Sequence, residues 1–356
     1  MRIVMITATP RSVREGSGTH VASALLPQAL ETLGHEVHCE HPEDATGPFG
    51  FTVHRFRFNW SIRPQSFEDA DVVVGWDMDG YRLAGRLSQP FVAYIHGQLA
   101  EEASFERGLV AASMRLQARA ERHSVRRADR VITVSERSRR RIARLYGVPR
   151  ERVVVVPPPF DAARWQLTLD GVTACTRDGR PTVLSVAHMY PRKNLASLVR
   201  ATVILRRRIP DVRVVIVGDG PERRRLTRLV DSLGLRESIR LPGQIRFQAL
   251  VESYASCDVF CLPSLQEGFG LVFLEAMVAG VPIVACCDTA AEELVQDGVN
   301  GLLVSQHDDL ALAEALTSLL ENAQLRRSMG AEGRTRVSRY EPIATAERFV
   351  AAIGVS

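Results

Sequence analysis

The sequence predicts an α/β protein built from two doubly wound parallel sheets, and three observations carry that prediction. Short apolar runs alternate with helical stretches in both halves of the chain. At 356 residues the chain exceeds one ordinary α/β domain and suits two. Apolar residues make up 46% and charged residues 24%, a balance that supplies two cores and argues against wholesale disorder.

The elements follow in order. Residues 2–7 form an apolar strand, and a loop over 8–18 carries Pro10, Gly16 and Gly18. Ala22, Leu26, Ala29 and Leu33 recur at helical spacing, with Gly34 as the stop, and a second strand starts at 36–39. This is a βαβ unit with a glycine-rich turn. Further strands are predicted at 71–75, 91–95, 130–134 and 153–156, with an arginine-rich helix over about 105–127. Pro157, Pro158 and Pro159 end an N-terminal domain over 1–160. Weak patterning over 161–180, with Gly171 and Gly179, predicts an interdomain linker. A second domain over 181–340 repeats the alternation, with strands at 182–187, 212–217, 239–241, 259–262 and 282–285. Its clearest helix follows Pro221, with Leu226, Leu229, Val230 and Leu233 on one face. A last helix, about 343–353, is expected to cross back to the first domain. Ligands of such sheets bind at the carboxyl ends of the strands, and two sheets facing each other would create a cleft.

Bulk properties remove several classes. The apolar run from Gly270 to Cys287 contains Glu275, Gly280 and Pro282, so it reads as a buried helix and strand rather than a membrane span. The apolar start is too short for a signal peptide. The six cysteines form no paired CxxC motif and no zinc spacing, so they are expected to be reduced and the setting cytoplasmic. A net charge of +4 falls below what a nucleic-acid partner demands. Lys193 is the only lysine among 45 basic residues.

The strongest chemical signal runs from Pro263 to Met277, where a strand ends and a helix begins. Gly268 and Gly270 flank Phe269 and let backbone N–H groups approach a ligand. The helix N-terminus adds partial positive charge suited to a diphosphate. Glu267 and Glu275 flank this anion site and are suited to accept from hydroxyls. A diphosphate between two polyhydroxy groups is a nucleotide sugar. A second signal, Val186 to Asn194, sets Arg192 and Lys193 just past a strand end, placed for phosphates. Third, Gly218-Asp219-Gly220-Pro221 follows a strand, with Arg223 where a dinucleotide fingerprint needs its third glycine.

The Glu267 to Glu275 segment resembles the Glu, seven residues, Glu motif of family 4 retaining glycosyltransferases. The resemblance implies a GT-B fold of two Rossmann-like domains, with Glu267 at the donor sugar and Glu275 at the ribose. Lys193 matches the family's diphosphate lysine, with Arg192 beside it. His188 stands where the family usually has an arginine. Gly218 and Gly243 resemble the turns that line the nucleotide pocket, or serve backbone geometry alone. Glu293 to Val304 resembles a family hallmark and reads as architectural. In the N-terminal half, Gly16 and Gly18 resemble the loop that closes over the donor, and His96 the histidine near the reacting sugar, or a strand cap. Asp77 and Asp79 read first as a solvated turn, with acceptor hydroxyls as the alternative. Arg115, Arg119, Arg122 and Arg126 share a helical face, read as solvated, with peripheral docking on an anionic membrane as the alternative.

Family membership implies transfer to a hydroxyl acceptor with retention, by front-face displacement, with no metal in the donor site and no cofactor besides the nucleotide sugar. The rivals are a nucleotide-sugar epimerase, a non-catalytic binder of nucleotide sugars and a Rossmann oxidoreductase resting on the Gly218 turn. The Glu267 and Glu275 pair disfavours the first and third.

Overall fold

The computed structural model describes residues 1–8, 18–42, 50–172 and 179–354. The chain divides into two compact units, Met1–Phe160 with Tyr340–Ser356, and Asp161–Arg339.

Unit 1 holds a six-stranded sheet of β1 (Arg2–Ile6), β2 (Glu36–Glu40), β3 (Val72–Trp76), β4 (Phe91–Ile95), β5 (Arg130–Thr133) and β6 (Val153–Val155), in the order β2-β1-β3-β4-β5-β6. Its helices are α1 (Gly18–Thr32), α2 (Gly50–Ser61), α3 (Leu99–Glu102), α4 (Gly108–Arg127) and α5 (Glu136–Tyr146). All its strand pairs are parallel, and β3 and β4 are buried at every position, as expected of strands covered on both faces. α4 begins at Gly108, later than its sequence pattern suggests, and turns Arg115, Arg119, Arg122 and Arg126 outward. Among the described residues no helix is long and apolar enough to cross a membrane.

Unit 2 opens with α6 (Ala162–Asp170), where a linker was expected. Asp161 caps it by accepting from the Arg164 N–H at 2.8 Å. Trp165, 7% exposed, packs edge-on against Phe247 and Tyr254 at 5.2 and 5.6 Å. One buried indole among polar neighbours is enough to dock a helix that shows no clear periodicity. The rest of the unit is β7 (Thr182–Val186), α7 (Leu195–Arg208), β8 (Arg213–Val217), α8 (Arg223–Ser232), β9 (Ile239–Gly243), α9 (Phe247–Ser256), β10 (Val259–Leu262), α10 (Leu271–Val278), β11 (Ile283–Cys286), β12 (Gly301–Val304), α11 (Asp309–Glu321) and α12 (Ala323–Arg336). Its parallel sheet runs β12-β11-β10-β7-β8-β9. On α8, Leu226 and Val230 are buried as the spacing predicts, but Leu233 sits at the C-cap, exposed, and Leu235 is buried in its place. β12 lies in the segment read as architectural. There Asn300 accepts from Gln296 N–H and donates to Leu294 O, bracing the turn before the strand.

Helix α13 (Pro342–Ile353) belongs to unit 1, where it packs against α1, and its Phe349 ring lies 5.5 Å from Tyr94.

Trp165→Ala is expected to cost about 3–5 kcal/mol, the range for emptying a buried aromatic site. Urea unfolding followed by circular dichroism tests this; a change below about 1 kcal/mol would mean that α6 is a loosely attached connector after all.

Candidate active site

In unit 2 the sheet order reverses between β7 and β10, so their connections leave toward opposite faces. That divergence opens the crevice in which ligands of doubly wound sheets bind. The segments leaving those two strands hold the residues that the sequence singles out. After β7 come His188, Arg192 and Lys193, the last two in a short 3₁₀ turn, Pro191–Lys193. After β10 comes the loop with Glu267, Gly268, Phe269 and Gly270, which opens α10. The two segments are tied together: the Leu265 N–H donates to Arg192 O at 2.8 Å. Lys193 Nζ donates to Glu267 Oε2 at 2.6 Å, with both side chains nearly buried, at 12% and 9% exposure.

That pair sets the charge of the site. Burial pushes the Glu267 carboxyl up, and Lys193 and Arg192 more than reverse it, holding it below the ordinary range. Glu267 is therefore an anion at neutral pH, and the lone lysine of the chain is its counter-ion. Gly270 takes φ +96°, and a Cβ there would lie 2.5 Å from the Phe273 ring, so glycine is required where the loop enters α10. Glu275, one turn into that helix and only partly buried, has a different environment. Burial pushes its carboxyl up to about 7, against the pull of one hydrogen bond from the Tyr254 hydroxyl at 2.8 Å.

Gly218 and Gly220, at the end of β8, press against the backbone of 187–189. A Cβ on Gly218 would sit 2.0 Å from Ala187 O, and one on Gly220 2.8 Å from Met189 N. Their role in backbone geometry is thus explicit, and it fixes the strand end that carries His188. Gly243 accepts from the Gly218 N–H at 2.9 Å. Arg223, in the place of a third fingerprint glycine, donates to Leu241 O at 3.0 Å and knits these turns together. The His188 ring lies 6.0 Å from that of Tyr190.

In unit 1, Gly16 lies outside the described residues and Gly18 opens α1. His96 follows β4, stacked on Trp76 at 4.5 Å and 4° and tilted against Tyr94 at 4.2 Å. Burial pushes its pKa down to about 3, and among the described residues neither ring nitrogen has a hydrogen-bond partner. It is a neutral imidazole throughout the physiological range, suited to hydrogen bonding rather than to carrying a charge.

The aspartates depart from expectation. Neither forms a solvated turn. Asp77, at φ +55°, accepts from the His96 N–H at 2.8 Å and fixes the turn after β4. Asp79 is 1% exposed and its acceptor positions are filled, by Arg55 at 2.8 and 3.0 Å, Asn59 at 2.9 Å and the Ala8 N–H at 2.7 Å. Asp79 is a buried brace and has no capacity left for an acceptor hydroxyl. Arg55, 24 residues earlier in sequence, gave no signal of this partnership.

Similarities of three kinds, to family models, to curated relatives and to solved structures, bear on the site. A family model described as Glycosyl transferases group 1 matches residues 175–336, and one described as Glycosyltransferase Family 4 matches residues 16–164. The chain is 35% identical over 219 residues to a GDP-mannose-dependent alpha-(1-6)-phosphatidylinositol monomannoside mannosyltransferase of Mycolicibacterium smegmatis, covering 58% of this chain and 57% of that protein. It is 35% identical over 242 residues to a D-inositol 3-phosphate glycosyltransferase of Nocardia farcinica, covering 64% and 52%. The chain thus spans about half the length of these curated relatives. Its fold matches sucrose-phosphate synthase from Thermosynechococcus elongatus with a TM-score of 0.82 at 22% identity, covering 98% and 97% of the two chains. It also matches Anabaena HepE in complex with UDP, at 0.75 and 19%, over 100% of both.

Replacing Lys193 by Met removes one partner of a nearly buried ion pair and is expected to cost up to about 3 kcal/mol at pH 7. The sign with pH follows from the lowered Glu267 carboxyl: its contribution is present above about pH 4.3 and is lost as pH falls through the depressed value. In the variant, burial acts with less opposition, so stability should instead decline as pH rises above about 4.3. Urea unfolding from pH 3.5 to 8 reads both slopes, and parallel profiles would remove the pair from this role.

Proposed function

The chain belongs to the family 4, group 1 glycosyl transferases, and on that premise we propose that it moves a sugar from a nucleotide-diphosphate sugar to a hydroxyl acceptor with retention at the anomeric carbon. The observation that carries this reading is the Lys193–Glu267 pair at the mouth of α10, with Glu275 on the same helix. A cationic amine and an ionised carboxylate at a helix N-terminus suit the junction of sugar and diphosphate. Lys193 and Arg192 meet the phosphates, and Glu267 accepts from a sugar hydroxyl. Glu275 accepts from the ribose.

In the reaction the bond from the anomeric carbon to the diphosphate oxygen breaks as the acceptor oxygen bonds on the same face. The acceptor proton passes to the leaving phosphate. Lys193 and Arg192 stabilise the charge that develops there, so the reading needs no metal in the donor site. His96, neutral, serves as a hydrogen-bonding group and not as a proton donor. The relative named above as GDP-mannose-dependent, and the fold relative holding UDP, make guanine and uracil the bases to compare. The filled Asp79 leaves the acceptor to be recognised by other side chains.

The reading sets the reaction in the cytoplasm, with α4 as a peripheral contact to an anionic surface. What supports the contact is a mixed face. Leu109 and Leu116, 90% and 49% exposed, share a stripe of the helix that borders Arg119 and Arg115. Vesicles with and without anionic lipid test it by co-sedimentation. The wild type should pellet with anionic vesicles and the Arg115→Glu, Arg119→Glu double variant should not; equal recovery would end the idea.

Thermal melting with GDP, UDP and ADP tests the donor site. A nucleotide at about 100 times its Kd should add about 2.7 kcal/mol of stability. One base is expected to raise the melting point of the wild type and to fail with Glu275→Ala. If none shifts the wild type, the donor-binding reading falls.

A further inference from the structure

Tyr254 has no place in the motifs, yet it is the side chain that holds Glu275. It is fully buried on α9, its ring 5.6 Å from Phe260 in a stacked arrangement and 5.6 Å from Trp165 edge-on. Rings so enclosed keep one rotamer, so the hydroxyl is a fixed point. From there it donates to Glu275 Oε2 at 2.8 Å, with Val272 O as the longer alternative at 3.3 Å. A hydroxyl has one proton to give. With Glu275 ionised, the proton goes to the carboxylate. With Glu275 protonated, the carboxyl becomes the donor and the Tyr254 proton turns to Val272 O.

We propose that Tyr254 is a positioning residue of the nucleotide site, holding the Glu275 carboxylate by Oε2 so that Oε1 is left to accept from a ribose hydroxyl. This rests on the donor-site reading above. The segment beginning with α6 enters the site by this route, since Trp165 is one wall of the tyrosine's slot.

The neighbours support a pH signature. The elements packed on α10 include α6, α9, α12 and β11. On α6, Arg164 lies over the Phe247 ring. On α12, Arg334 donates to Ala279 O, beyond the far end of α10. On β11, the Cys286 thiol is pushed up to about 12 by burial and stays neutral. Glu267, on the loop before α10, is paired with Lys193. Among the described residues, Tyr254 is the titratable side chain that bonds the Glu275 carboxyl, which burial pushes up to about 7. Losing a hydrogen bond to the ionised form raises a carboxyl further.

The test measures Kd for GDP and for UDP by calorimetry between pH 5.5 and 8.5, in wild type, Tyr254→Phe, Glu275→Gln and the double variant. Wild-type affinity should fall as pH drops below about 7. Tyr254→Phe should bind about tenfold more weakly at pH 7.5, with its midpoint moved to higher pH. In the Glu275→Gln background the same change should do little, and the pH dependence should be gone. If Tyr254→Phe does not fold, 3-fluorotyrosine at position 254 keeps the ring. As the better donor it should move the midpoint down. A wild type that binds while Tyr254→Phe keeps the same Kd and midpoint, or loses equally in both backgrounds, overturns the inference and leaves the donor site standing. A wild type that binds neither nucleotide overturns both.

Discussion

A parallel sheet whose order reverses must send two neighbouring connections to opposite faces, and the site of unit 2 depends on that one constraint. Because β7 and β10 are neighbours and their chains diverge, a polar crevice opens at their carboxyl ends. A crevice of that kind would expose backbone groups and invite collapse. The Lys193–Glu267 bond and the Leu265 to Arg192 backbone bond close it to a defined width. The glycines of the β8 turn do the same on the other side, since only a residue without Cβ lets 218 and 220 lie on the backbone of 187–189.

The two glutamates on one loop-helix segment show how environment separates identical side chains. Each is desolvated. Glu267 has an amine within 2.6 Å and stays ionised. Glu275 has only a neutral hydroxyl, and its charge is poised near neutrality. Opposite outcomes from the same carboxyl need no difference in sequence chemistry, only the choice between an ammonium and a phenol as partner.

Strand positions were legible because a doubly covered parallel strand is a short unbroken apolar run, as β3, β4 and β10 are. The loops after β7 and β10 were legible too, because glycine and charge fall at strand ends. What escaped has a common cause. β12 is four residues inside a turn-rich stretch, and α6 is held by one tryptophan; neither has a period to read. Tyr254 shares a helical face with Val251 and so reads as core, which it also is. Its second role depends on a partner 21 positions away on another helix. Asp79 was misread for the same reason, since Arg55 and Asn59 reach it from α2. Local chemistry announces a carboxylate; only the fold says whether its oxygens are already engaged.

The pairing of Lys193 gives the molecule an unusual chemical address. With one lysine in the 356-residue sequence, acylating reagents find one side-chain amine in it, Nζ of residue 193. That amine donates to Glu267, whose charge favours the ammonium form and so withholds the lone pair that such reagents need. Its modification rate becomes a clock for the opening of that ion pair. A single isotope, supplied as labelled lysine, would report on this crevice with no engineered tag.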